Sequence, residues 1–188
     1  MRTVLAVLAL ALSLSACGDD EPIRSGGGGD EPESTATTES DASPAAVCDL
    51  ADASDVEAAY GEPVPDGSYG GGGHDDNGVQ WQSDNCNWDV DDGLELTLAV
   101  SRADQFAEGE LLCLELESFG TASTPVPELG DRAWWVIDDI DPDEGTLRIC
   151  TDEEMIDIDM ESPDGARDPG TMRDQSVAFA EVVLANLG

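Results

Sequence analysis

The chain has 188 residues, 43 of them acidic and 7 basic, for a formal net charge of −36, and every basic residue is arginine. Residues 48–188 carry 35 acidic residues and 5 arginines, a net charge of −30 over 141 residues. A surface of that sign repels phosphate backbones and anionic head groups, which argues against nucleic acid as a partner and leaves cationic partners or divalent ions.

Val4–Ala16 is an apolar run that follows Arg2. It is too short to cross a bilayer, which takes about 20 residues. A basic start, a short apolar middle and small residues at its end describe a secretory signal. In Leu14-Ser15-Ala16-Cys17 the run ends on a thiol, and this stretch resembles the lipobox of bacterial lipoproteins. The resemblance implies that residues 1–16 are removed and that Cys17 becomes a lipid-bearing first residue. Acyl chains at Cys17 would hold the protein on the extracytoplasmic face of the cell membrane. An ordinary secreted chain with an incidental cysteine is the alternative.

Residues 17–47 read as the lipidated cysteine followed by a linker. "SGGGGDEPESTATTESDASP" has almost no large apolar side chain, and Gly18–Val47 contains three prolines. Such a segment cannot bury enough surface to fold, and as a coil it reaches on the order of 30 Å.

Residues 48–188 have the length of one domain. "SDVEAAYGEP" predicts the first helix, with Ser54 and Glu57 at capping-box spacing and Gly61 as its stop. "GSYGGGGHDDNG" reads as a glycine-rich loop. "NCNWDV" and "LELTLAV" flank a turn signal, and Leu94, Leu96, Leu98 and Val100 alternate with Glu95, Thr97 and Ala99, as in a strand with one buried face. "RADQFAEGELLCLELESF" combines helix-forming Leu and Glu with alternating Leu112, Leu114 and Leu116, and is assigned as a helix. "AWWVI" and "TLRIC" flank an acidic turn, and "MIDIDM" alternates again. In "TMRDQSVAFAEVVLANLG", Thr171 serves as cap, and Val177, Ala180, Leu184 and Leu187 form one stripe. The order helix, strands, helix, strands, helix predicts an α+β fold, an antiparallel sheet with packed helices.

Four cysteines remain after Cys17: Cys48, Cys86, Cys113 and Cys150. An even number in an exported domain reads as two disulfides, and their wide spacing lacks the paired form favoured by zinc sites. Three pairings exist; Cys48–Cys86 and Cys113–Cys150 are expected, each tying one early element to a strand pair. Cys150 has the opposite parity from Leu147 and Ile149, which demands either a bulge or a sheet covered on both faces.

Taken in order, "VCDLADASDVEAAYGEPV", "CNW", "ELGDRAWWV" and a closing amphipathic helix resemble actinobacterial cell-envelope lipoproteins with a domain of unknown function. The resemblance spans most of Cys48–Leu187. It implies export, lipid anchoring and a compact disulfide-linked domain, and it brings no catalytic residues. Gly130-Asp131-Arg132 reads as a turn. Trp134 and Trp135 point to opposite faces of a strand, one into the core and the other a candidate recognition surface. Trp81 and Trp88 read as packing residues.

Asp139, Asp141 and Asp143 alternate as oxygen ligands do in calcium loops, but Glu144 stands where an EF-hand needs glycine and Cys150 where it needs glutamate. A solvated acidic turn is the simpler reading. His74, the only histidine, lies among glycines beside Asp75 and Asp76. No nucleophile–base pattern emerges, and no lysine follows the glycines to make a phosphate loop. The sequence thus predicts a membrane-anchored, non-enzymatic domain without cofactor that binds an envelope protein or small ligand. A calcium-dependent structural or adhesive module and a cell-wall hydrolase are the alternatives.

Overall fold

The computed structural model describes residues 47–76, 78–91, 93–118, 121–138, 143–162 and 167–187. Cys17, the signal segment and the linker as far as residue 46 lie outside the described residues, as do Asp139 and Asp141. In chain order the elements are α1 (Ala53–Tyr60), β1 (Ser68–Asp76), β2 (Val79–Asp89), β3 (Glu95–Arg102), β4 (Glu117–Ser118), β5 (Thr121–Ala122), β6 (Thr124–Pro125), β7 (Ala133–Ile137), β8 (Glu144–Cys150), β9 (Glu154–Glu161) and α2 (Pro169–Asn186). Seven strands form one antiparallel sheet in the order β1-β2-β3-β9-β8-β7-β6, and β4 pairs with β5 apart from it.

Both helices start on an aspartate. In α1, Asp52 accepts the backbone N–H groups of Ser54 and Asp55, while the Asp55 carboxylate accepts the N–H of Asp52. The capping box therefore lies two residues upstream of the expected Ser54–Glu57 pair, because Asp52 satisfies two orphan amides at once. Gly61 ends the helix at φ 81°, in the left-handed region where a side chain would be strained. In α2, Asp168 caps in place of the expected Thr171, whose hydroxyl instead donates to that carboxylate.

Alternation along the strands sorts the side chains into two layers. Cys86, Leu98, Ile158, Leu147 and Trp135 stand opposite one another in successive strands, forming one row across five strands. Both helices pack on this face. Phe179 of α2 meets Trp88 edge-on and Tyr60 at a tilt, with both pairs of ring centroids 5.8 Å apart. The buried stripe of α2 is Met172, Ser176, Phe179, Ala180 and Val183; Val177, Leu184 and Leu187 of the expected stripe sit at its margin.

Two sequence assignments are overturned. The glycine-rich stretch is not a loop but strand β1, paired without interruption from Ser68–Asn87 to Asp76–Val79. Gly78, at φ 84°, completes the tight connection to β2. "RADQFAEGELLCLELESF" is not a helix over its described residues: after Arg102, the end of β3, and a 3-10 turn at Ala103–Gln105, residues 106–118 cross the second face of the sheet as irregular and extended chain. Leu111, Leu112, Cys113 and Leu114 pack there around Trp81, Phe106, Cys150 and Met155. The structure contains two disulfides, Cys48–Cys86 within the helix-covered core and Cys113–Cys150 holding this crossing segment to β8. The parity of Cys150 follows directly: β8 runs in unbroken register with β9, and both faces of the sheet are covered.

Candidate binding surface

The second face carries a polar layer at its centre. Arg148 on β8 stands directly opposite Asp157 on β9, and their side chains meet in two hydrogen bonds of 2.7 Å each. A further Arg148 N–H donates to the Leu114 carbonyl at 3.2 Å, and the guanidinium lies 5.7 Å from the Trp81 ring centroid. At 6% and 11% side-chain exposure this is a buried ion pair, with a planar fork filling both carboxylate oxygens. Trp81 continues the layer as the middle of a stack: His74 lies 5.0 Å to one side and Phe106 5.8 Å to the other. The imidazole Nε2 also sits 2.8 Å from the Ser83 hydroxyl, and burial lowers the His74 pKa. The lone histidine is thus a packed strand residue, not the exposed loop residue expected from its neighbours.

Asp159 follows Asp157 on the same face and accepts the Thr146 hydroxyl at 2.7 Å. Burial, reinforced by the charge of Asp157, raises its pKa to about 6. The folded chain therefore binds more protons than the unfolded chain between about pH 4 and 6, so this group's contribution to stability falls as pH rises through that window. Asp159→Asn is expected to gain on the wild type as pH is raised from 4 to 7, by roughly 1–2 kcal/mol in the difference of unfolding free energies. Urea titrations of both proteins at each pH check it; a pH-independent difference refutes the assignment.

The remaining expected site residues fall in different places. Trp135 is buried in the helix-covered core, and Trp134 is partly buried against the second-face cluster. Asp143 precedes β8, where its carbonyl accepts the Ser162 N–H. Among the described residues no three His, Cys, Asp or Glu side chains are grouped to hold a metal. Arg132 follows Gly130, which lies at φ 109°, and pairs loosely with Asp152 at 3.8 Å.

An open surface lies at the β1 end of the sheet. Tyr69, at 49% exposure, is among the described residues the large hydrophobic side chain left exposed, and its hydroxyl donates to Asp84 at 2.8 Å. Two cavities adjoin β1. One of about 570 Å³ is lined by His74, Asp75, Trp81, Asp104, Gln105 and Phe106, among others. One of about 330 Å³ is lined by Tyr69, Gln82, Asp84 and Gln105, together with Gly71–Gly73. Gln105 belongs to both and is placed by the 3-10 turn, where its side chain receives the Arg102 N–H and donates to Asp84. The sequence reading passed over Tyr69 because a tyrosine among glycines carries no periodic signal.

These features define an α+β domain with one sheet face under helices, the other under a disulfide-pinned strap, and a polar, acidic, aromatic-edged surface at one end. Compared with protein-family models, curated proteins and solved structures, the chain matches none of them.

Proposed function

We propose that this protein is a lipid-anchored lipoprotein of the bacterial cell envelope, whose folded domain binds a partner or ligand on the extracytoplasmic side without catalysing a reaction. The observation that carries the binding reading is the juxtaposition, at the β1 end, of the exposed Tyr69 ring and two cavities lined by acidic, amide and aromatic side chains. The reactive groups that first draw the eye have structural duties: His74 is held by Ser83 and Trp81, and Asp157 by Arg148. Two disulfides support an oxidising location. The thiol at Cys17 supplies the anchor in this reading, and the Gly/Ser/Pro-rich linker a spacer.

Metabolic labelling with a clickable fatty acid is expected to mark the wild-type protein and to leave Cys17→Ser unmarked. An unlabelled wild type refutes the anchor. For the binding function, affinity capture from crosslinked envelopes is expected to recover the same partner or ligand repeatedly; consistently empty captures refute it.

A further inference from the structure

β1 is an edge strand of nine residues, and the opposite edge, β6, is two residues long and ends on Pro125. Proline and shortness are the usual protections of a sheet edge. β1 has neither: it contains no proline, and its register with β2 is unbroken.

The direction of its main chain follows from its neighbour. Gln80 gives its carbonyl to the Ala107 N–H, on the side of β2 away from β1. Its partner Asp75 therefore stands at a position where the two strands exchange no hydrogen bonds, and its own N–H and C=O point out of the sheet. Two-residue alternation sends the main-chain groups of Tyr69, Gly71 and Gly73 the same way. Among the described residues no strand lies beside them. The outer edge thus offers a row of donors and acceptors at strand spacing, with one cavity beside Tyr69 and another beside His74 and Asp75 to take side chains of an added strand.

Charge selects the occupant. Each of the five arginines in residues 48–188 is already paired with a carboxylate: Arg102 with Glu154, Arg132 with Asp152, Arg148 with Asp157, Arg167 with Glu62 and Arg173 with Glu128. None of these bridges involves Asp75 or Asp104 at the β1 end. A second copy would bring another domain of net charge −30, and the linker of residues 18–47 carries eight acidic residues and one arginine. Both meet like-charge repulsion there.

We propose that the outer edge of β1 receives an extended, lysine- or arginine-bearing segment of another envelope protein as an eighth strand. This deepens the binding function proposed above and rests on it.

Gly73 separates edge pairing from charge attraction. A Cβ added there meets nothing within 4 Å, and its N–H faces outward, so Gly73→Pro removes an outer donor without disturbing β2. Gly73→Ala keeps that donor and serves as the control. The probe is an end-blocked peptide of about ten residues alternating lysine with valine and threonine. It is titrated into the full chain by fluorescence anisotropy, beside a version N-methylated at alternate amides. Near-UV circular dichroism verifies that both variants are folded.

Wild type is expected to bind the plain peptide, and Gly73→Ala, which keeps the donor, to bind it more tightly than Gly73→Pro does. Gly73→Pro, and the methylated peptide on wild type, are each expected to bind at least about tenfold more weakly. Equal binding by the methylated peptide or by Gly73→Pro overturns the inference in favour of charge alone. Absence of binding at millimolar peptide also overturns it, as does a dimer of the wild type that Gly73→Pro abolishes in sedimentation. Captures from crosslinked envelopes distinguish the two levels: a partner recovered equally by wild type and Gly73→Pro refutes edge pairing and leaves the broader function standing, whereas captures empty for both refute the broader function.

Discussion

Arg148→Met is expected to destabilise the domain by about 3–5 kcal/mol, read as a lower urea midpoint at an unchanged denaturant slope. The reason lies less in the strength of the ion pair than in what its loss leaves behind. Asp157 is 8% exposed, Asp159 shares its face, and the guanidinium satisfies both Asp157 oxygens and the Leu114 carbonyl. Without it a buried carboxylate lies beside Asp159, two residues along the same strand, with no counter-charge. Replacing both partners, as Arg148→Met with Asp157→Leu, is expected to recover most of the loss, since two apolar groups need no compensation. A single Arg148→Met costing less than about 1 kcal/mol would show that the pair is solvated and not part of the interior.

The second large effect is expected from the disulfides. Their cysteines are separated by 38 and 37 residues, and cross-linking loops of that length restricts the unfolded chain by roughly 4 kcal/mol each in the chain-entropy account. Cys48→Ser with Cys86→Ser removes a bond within the main core, where Cys86 is wholly buried. It is expected to lower thermal stability globally, with all probes melting together. Cys113→Ser with Cys150→Ser is expected to act locally as well. The strap bearing Leu111, Leu112 and Leu114 loses its tie to β8, and Trp81 beneath it gains water. Tryptophan emission in the native state should shift to the red in the second variant and not in the first. Identical spectra for the two variants would show that the strap holds its place by packing alone.

The legible parts of the fold were those with strict alternation. Leu94–Val100, "TLRIC" and "MIDIDM" announce strands because their apolar residues recur at every second position, and the structure has strands there. β1 was hidden because glycine has no side chain to alternate; only the Asn77-Gly78 dipeptide signalled a hairpin. The strap misread as a helix failed for the opposite reason. Its leucines and glutamates favour a helix locally, and the disulfide to Cys150 with the Arg148–Leu114 contact overrides them. Helix caps shifted because several Asp, Ser and Thr residues compete within a few positions, and geometry decides among near-equal candidates. Of the surface at the β1 end, Asp75 and His74 were noticed as chemistry, but the edge itself emerged only once the strand order was known.

That strand order also has a bearing on how the chain matures. β9 lies in the middle of the sheet, between β3 and β8, yet among the described residues it is the last strand in sequence, with α2 after it. Until Glu154–Glu161 are in place, the first three strands and the β6–β8 group are separate hairpin ribbons, each presenting a greasy side with no seam between them. A chain cut short before Met155 leaves Leu98 and Leu147 without Ile158, their common neighbour. Joining the two halves of the sheet therefore waits on residues 154–161, late in the chain.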